Sequence, residues 1–213
     1  MTFDELGLNA RMVARLAGLG LSEPTPIQAQ AIPQALEGRD VLGVAQTGTG
    51  KTAAFGIPLV VSLSRRPEPR APRSARGLVL APTRELADQI VLSLQGLTAD
   101  LRILAVVGGR SINVQAQKLS RGVDILVATP GRLVDLMDRE AADLSPTRFL
   151  VLDEADQMLD LGFAPALRRI VASLGAPRQT MLFSATLPAA TAELAHDFLS
   201  DPVRIEATPP GQV

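Results

Sequence analysis

Gly48, Gly50, Lys51 and Thr52 lie in the run Ala45-Gln46-Thr47-Gly48-Thr49-Gly50-Lys51-Thr52, directly after the β-branched segment Val41–Ala45 and directly before a helical pattern. Glycines at a strand-to-helix junction let successive backbone N–H groups wrap around an anion, and the helix N-terminus adds its partial positive charge. In such a loop Lys51 reaches the β- and γ-phosphates of a nucleoside triphosphate, and Thr52 is spaced to ligate Mg²⁺. The plain alternative is a Gly-rich turn with no ligand, which does not account for Gly-Lys-Thr at this junction.

A second constellation follows the apolar segment Phe149-Leu150-Val151-Leu152, which delivers Asp153-Glu154-Ala155-Asp156 at its C-terminal end. In a parallel sheet this is the edge where ligands bind. Asp153 can hold Mg²⁺ through water, while Glu154 can orient and deprotonate an attacking water. Alone, the acidic group would be read as a solvated helix start. Together with Lys51 it reads as the catalytic half of a phosphate-cleaving site. Upstream, Pro24-Thr25-Pro26-Ile27-Gln28 contains an amide able to accept from adenine N6 and donate to N7, although a lone helical Gln is more often simply exposed.

Positioning these groups requires alternating strands and helices. Short β-branched runs at 41–45, 77–81, 102–107, 124–128, 149–152 and 179–183 read as strands, with a further strand at 203–206. Helices are expected near 9–18, 26–36, 51–64, 84–97, 111–120, 131–139, 163–173 and 188–199. The alternation predicts an α/β domain, a mainly parallel sheet with helices on both faces. The segment 65–76 holds five Arg, three Pro and one Glu and reads as a solvated, mobile loop rather than a dedicated RNA patch.

Composition narrows the chemistry further. The 213 residues, 46% hydrophobic and 20% charged, fit one large globular domain. Without Cys, and with one His, thiolate sites are excluded and imidazole chemistry is nearly so. No stretch approaches the roughly 18 apolar residues of a membrane span, so a cytoplasmic location is expected. A formal net charge of −1 means that a nucleic-acid partner would have to be held by local groups.

Read in order, these segments resemble the DEAD-box ATP-dependent RNA helicases, specifically the N-terminal RecA-like P-loop domain of a bacterial type. Pro24–Gln28 is similar to the Q motif, Ala45–Thr52 to motif I, Pro82-Thr83-Arg84-Glu85-Leu86 to motif Ia and Gly108-Gly109 to the GG motif. Thr129-Pro130-Gly131-Arg132 is similar to motif Ib, Asp153–Asp156 to motif II and Ser184-Ala185-Thr186 to motif III. The resemblance implies ATP and Mg²⁺ as cofactors. It places the nucleotide against Phe3, Leu21, Pro26, Gln28, Gln46, Thr47, Gly48, Thr49, Gly50, Lys51 and Thr52, with Thr52 and Asp153 on the metal and Lys51, Asp153 and Glu154 catalytic. Leu21 departs from the family, many members of which carry an aromatic there to stack on adenine.

The resemblance likewise implies RNA contacts at Pro82, Thr83, Arg84, Gly108, Gly109, Thr129, Pro130, Gly131 and Arg132. Asp156, Ser184 and Thr186 are implied to couple ATP state to strand grip. On physical grounds alone, Thr83, Thr129 and Ser184 are also expected to cap the helix that follows each, with Pro130 in a first helical turn. Three helix N-termini on one sheet edge offer more anion sites than one nucleotide uses, which suits a sugar-phosphate backbone read with little sequence preference.

The expected organisation is a RecA-like domain over 1–208, with residues 1–38 forming its Q-motif segment and 209–213 beginning an interdomain linker. The second RecA-like domain, which in the family supplies arginine fingers, is absent from the 213 residues. The expected activity of the joined domains is RNA-dependent ATP hydrolysis with local duplex opening. A small-molecule P-loop kinase would need an acceptor pocket and lid that no segment suggests. A non-catalytic nucleotide-binding module is disfavoured by intact Lys51, Asp153 and Glu154.

Overall fold

The computed structural model describes residues 1–207, so the linker expected at 209–213 lies outside the described residues. The strands are β1 (Val41–Ala45), β2 (Ala75–Leu80), β3 (Ile103–Val106), β4 (Val123–Ala128), β5 (Phe149–Leu152), β6 (Gln179–Ser184) and β7 (Val203–Ala207). The helices are α1 (Ala10–Gly18), α2 (Pro26–Leu36), α3 (Lys51–Arg65), α4 (Arg84–Leu97), α5 (Ile112–Leu119), α6 (Pro130–Asp138), α7 (Ala155–Asp160), α8 (Ala164–Ala172) and α9 (Ala189–Phe198). All seven strands run parallel in the order β3-β4-β2-β5-β6-β1-β7.

Strand order explains why both faces are covered. From β1 the chain moves to β2 and β3 in one direction, then returns through β4, β5, β6 and β7 in the other. Right-handed crossovers put helices on opposite faces when the direction of travel reverses. Accordingly, residues of α1 to α4, including Leu16, Ile27, Phe55 and Ile90, share one core with Val41, Val79, Val151 and Phe183. Residues of α5 to α9, including Leu119, Leu133, Met158, Ile170 and Leu194, share the other with Leu42, Leu78, Leu150 and Leu182. The neighbouring strand residues alternate between cores because successive side chains of a strand point to opposite faces.

Two expectations need correction. The short helix α7 and a 3₁₀ turn at Asp4–Leu6 went unforeseen, since pieces this short carry too few apolar repeats to show a period. The Arg-rich segment is only partly a solvated loop. Residues 66–70 are exposed, yet Ser74 and Ala75 are buried and Arg76 lies within β2. Arg76 and Arg70 both pair with Asp124 at the start of β4, at 3.4 and 2.9 Å, and Asp124 also accepts from the Arg102 backbone N–H at 2.7 Å. Burial alone would raise the Asp124 pKa, but these donors outweigh it and hold the carboxyl below its ordinary value. The composition of 65–76 could not reveal that a carboxylate from a distant strand would neutralise it.

Candidate nucleotide and nucleic-acid site

The phosphate loop, the acidic segment and Ser184 leave three adjacent strands, because β6 lies between β5 and β1. Tertiary structure thus joins groups more than a hundred residues apart. Lys51 opens α3 and is 5% exposed; its Nζ stands 3.1 Å from Asp153 Oδ1 and 3.3 Å from Glu154 Oε1. Thr47 Oγ1 also donates to Glu154 Oε1, at 3.4 Å. Glu154 adopts left-handed backbone angles, φ 54° and ψ 53°, a strained conformation for a non-glycine residue and one that recurs at functional sites.

Asp153 is fully buried; Lys51 faces its Oδ1 at 3.1 Å, but neither carboxylate oxygen has a partner in good hydrogen-bond geometry. Burial pushes its pKa up, with Lys51 opposing the shift. A buried carboxylate with unsatisfied oxygens suits a hydrated divalent cation, which brings both charge and water donors. Asp153 and Thr52 are the residues that would hold Mg²⁺. Among the described residues no group of three or more His, Cys, Asp and Glu side chains gathers into a metal site.

The loop is also fastened from behind. Gln28, 2% exposed on α2, accepts from the Thr25 N–H at 3.0 Å and donates from Nε2 to the Gly50 carbonyl at 3.1 Å. Its amide, expected to face a base, is therefore engaged with the protein at both ends, leaving one donor and one lone pair for a further partner. Gly50 has φ +85°, and a Cβ there would lie 2.5 Å from Gln28 Nε2; only glycine permits both the turn and this approach. Phe3 is buried in the core and Leu21 packs partly against it, whereas Pro26, Gln46, Thr47 and Gly48 are exposed and Thr49 is buried.

The motif III hydroxyls are brought onto α7. Ser184 Oγ accepts from the Asp156 N–H at 3.2 Å, and Asp156 Oδ2 accepts from the Thr186 N–H at 3.1 Å and its hydroxyl at 2.8 Å. Burial would raise the Asp156 pKa, but the Thr186 donors lower it on balance. Ser184 thus caps a helix nearly thirty residues before it, not the one that follows, because β6 lies beside β5. Of the three expected caps, Thr83 does accept from Leu86 N–H at 3.2 Å, whereas Thr129 makes no such bond. The N-terminus of α6 is instead shaped by Pro130 in its first turn.

The remaining predicted residues leave three further strands, β3, β4 and β2, which are also consecutive in the sheet. Arg84, Gly108 and Gly109 are exposed there, while Pro82, Thr129 and Pro130 are buried beneath them and Gly131 is half-buried. The Arg84 guanidinium fills the space a Gly109 Cβ would need, and Gly109 has φ +79°. Arg132 is turned inward: Nη1 donates to the Arg110 carbonyl at 2.7 Å and to Gln115 Oε1 at 3.0 Å. Gln115 went unrecognised in the sequence. Its signal is an amide in the inward stripe shared with Leu119, one turn further along α5.

Residues 25–194 match the DEAD/DEAH box helicase family, which covers most of the chain and every motif from the Pro24–Gln28 segment's Thr25 to Thr186. The chain belongs to this family. It is 45% identical over 206 residues to DEAD-box ATP-dependent RNA helicase 24 of Arabidopsis thaliana, covering 96% of this chain and 27% of that protein. It is 46% identical over 212 residues to ATP-dependent RNA helicase DeaD of Escherichia coli (strain K12), covering 97% of this chain and 33% of the relative. A third relative, ATP-dependent RNA helicase DBP2 of Candida albicans, is 42% identical over 206 residues, or 96% and 37% of the two chains. The chain therefore spans between a quarter and two-fifths of the length of these relatives.

Proposed function

We propose that this chain is the ATP-binding domain of an ATP-dependent RNA helicase, acting with a second RecA-like domain of the same protein to hydrolyse ATP and open short RNA duplexes. The observation that carries this reading is the meeting of Lys51, Asp153 and Glu154 beside β6, whose end carries the Ser184 and Thr186 hydroxyls bonded to Asp156. Gln28 reads the adenine with its remaining donor and lone pair while holding Gly50, and Lys51 leaves the two carboxylates for the β- and γ-phosphates. Asp153 and Thr52 hold Mg²⁺, which supplies charge neutralisation on the phosphates. Glu154 takes the proton of the attacking water.

In this reading the β3-β4-β2 edge grips a single strand through its sugar-phosphate backbone. Arg84, the Gly108-Gly109 backbone, and the N-termini of α4 and α6 bearing Thr83, Thr129, Pro130 and Gly131 face the phosphates. The pairing of Asp156 with Ser184 and Thr186 connects the nucleotide half of the edge to that grip. Among the described residues no helix is long and apolar enough to cross a membrane, and we place the enzyme in the cytoplasm.

The test is phosphate release by the chain joined to its second domain, with and without single-stranded RNA. Stimulation by RNA, abolished by Glu154→Gln with ADP binding retained, is the expected result. Release that ignores RNA, or phosphate transfer to a small acceptor, would refute the proposal.

A further inference from the structure

Gln115 is a buried amide on α5, 5% exposed, and the nucleotide site does not use it. Its Nε2 donates to the Val107 carbonyl at 3.0 Å, and its Oε1 accepts from Arg132 Nη1 at 3.0 Å. The same Arg132 nitrogen donates to the Arg110 carbonyl at 2.7 Å. The loop that contains Gly108 and Gly109 is thus held on one side by Gln115 and on the other by Arg132, which are bonded to each other. Arg110 closes the frame by a paired contact with both carboxylate oxygens of Asp88 on α4, one of them at 2.9 Å.

We infer that Gln115 is a positioning residue for the nucleic-acid grip, acting through Arg132 to set the distance between the Gly108-Gly109 loop and the N-terminus of α6. The inference rests on the proposed RNA-binding reading of this edge. The Thr129 N–H donates to the Val106 carbonyl at 3.1 Å, closing the β3–β4 ladder at the start of α6; beyond that bond the Gly108-Gly109 loop and the first turn of α6 meet through Gln115 and Arg132. An amide is suited to the task because it donates to a carbonyl and accepts from a guanidinium at once. A carboxylate could accept from Arg132 but would face the Val107 carbonyl with no proton, and an aliphatic chain could do neither. The guanidinium's Nε has no hydrogen-bond partner, with Asp135 Oδ2 3.9 Å away, so its hydrogen bonds are the Nη1 contacts to Arg110 and Gln115.

The experiment measures the affinity of the chain for a fluorescent single-stranded oligouridylate at low ionic strength, together with ADP affinity and melting temperature. Gln115→Met keeps the volume and removes both hydrogen bonds; it should weaken RNA binding by about three- to tenfold and leave ADP affinity unchanged. In an Arg132→Ala background the same substitution should have a smaller effect, because the Arg132 end of the brace is already lost and only the Val107 bond remains to remove. Gln115→Glu, which keeps the Arg132 contact alone, should fall between wild type and Gln115→Met.

Wild-type RNA affinity in Gln115→Met, or an undiminished loss in the Arg132→Ala background, would overturn the inference. Failure of the wild-type chain to bind the oligonucleotide would instead count against the RNA-binding reading itself. A fall in melting temperature with equal losses of RNA and ADP affinity would reduce Gln115 to a structural residue and also overturn the inference.

Discussion

Lys51 and Glu154 touch each other, yet removing them should have opposite consequences. In the proposed roles Lys51 meets phosphates already in the ground state, so Lys51→Ala is expected to weaken ATP and ADP binding. Glu154 acts on the water, so Glu154→Gln in the joined enzyme should bind nucleotide normally while hydrolysis falls. Equilibrium binding of a fluorescent ADP beside single-turnover hydrolysis separates the two, and equal affinity losses would contradict the assigned roles. Gln28 has a double task in this geometry, because its amide holds the Gly50 carbonyl and has valences left for the base. Gln28→Ala should cost on the order of 1–3 kcal/mol of ADP binding and erase the preference for ADP over GDP. Equal wild-type affinities for ADP and GDP would rule out base reading.

At the scale of elements, both edges of the sheet hold stabilising contacts, and in the proposed reading the carboxyl edge also binds the ligands. Thr83 caps α4 through the Leu86 N–H, so Thr83→Ala should lower stability by about 1 kcal/mol in chemical denaturation as well as weaken RNA binding. At the amino edge Asp124 joins β4 to Arg70, Arg76 and the backbone of Arg102. Its pKa is lower in the folded chain than its ordinary value of 3.8. The resulting stabilisation is fully present well above pH 3.8 and is lost as pH falls through the folded value. Asp124→Asn should therefore cost about 1.5–3 kcal/mol near neutral pH. Melting curves of the two proteins should draw together only as pH falls below 3.8 and meet below the folded value, and a pH-independent gap would argue against the ion pairs as the cause.

For the whole molecule, strand order groups the phosphate-loop and acidic motifs on β5, β6 and β1 and the remaining motifs on β3, β4 and β2, which in the proposed reading are a hydrolytic half and a gripping half. Such a platform presents one side of a site. In the proposed reading, charge developing on the transferred phosphoryl group would meet Lys51, the loop amides and the Mg²⁺ that Asp153 and Thr52 would hold, with the arginine from the opposite side left to the second domain. An arginine finger is worth roughly 10³–10⁵ in rate in related P-loop systems, so the isolated chain is expected to hydrolyse ATP slowly and unwind nothing. Joined to its second domain, it should regain RNA-stimulated turnover and a steeper salt dependence of RNA binding. Strand displacement at matched salt checks this; robust unwinding by residues 1–213 alone would point to arginines supplied by a second copy.

The sequence by itself determined what depends on near neighbours along the chain. Val41–Thr52 had to become strand, loop and helix because its β-branched run, glycines and Lys-Thr each favour that local geometry, and the apolar run Phe149–Leu152 had to deliver its acids at a strand end. The α/β alternation followed from the same periodicity. Strand order did not, because pairing is decided by crossovers whose partners lie far apart. Only the tertiary structure decided that β6 separates β5 from β1, which sends Ser184 to cap α7. It alone decided that Arg132 turns inward to Gln115, although its motif reads as an exposed cation. Arg76, written into an apparent solvated loop, became a half-buried strand residue for the same reason: its counter-charge, Asp124, lies forty-eight residues away and meets it only in the folded sheet.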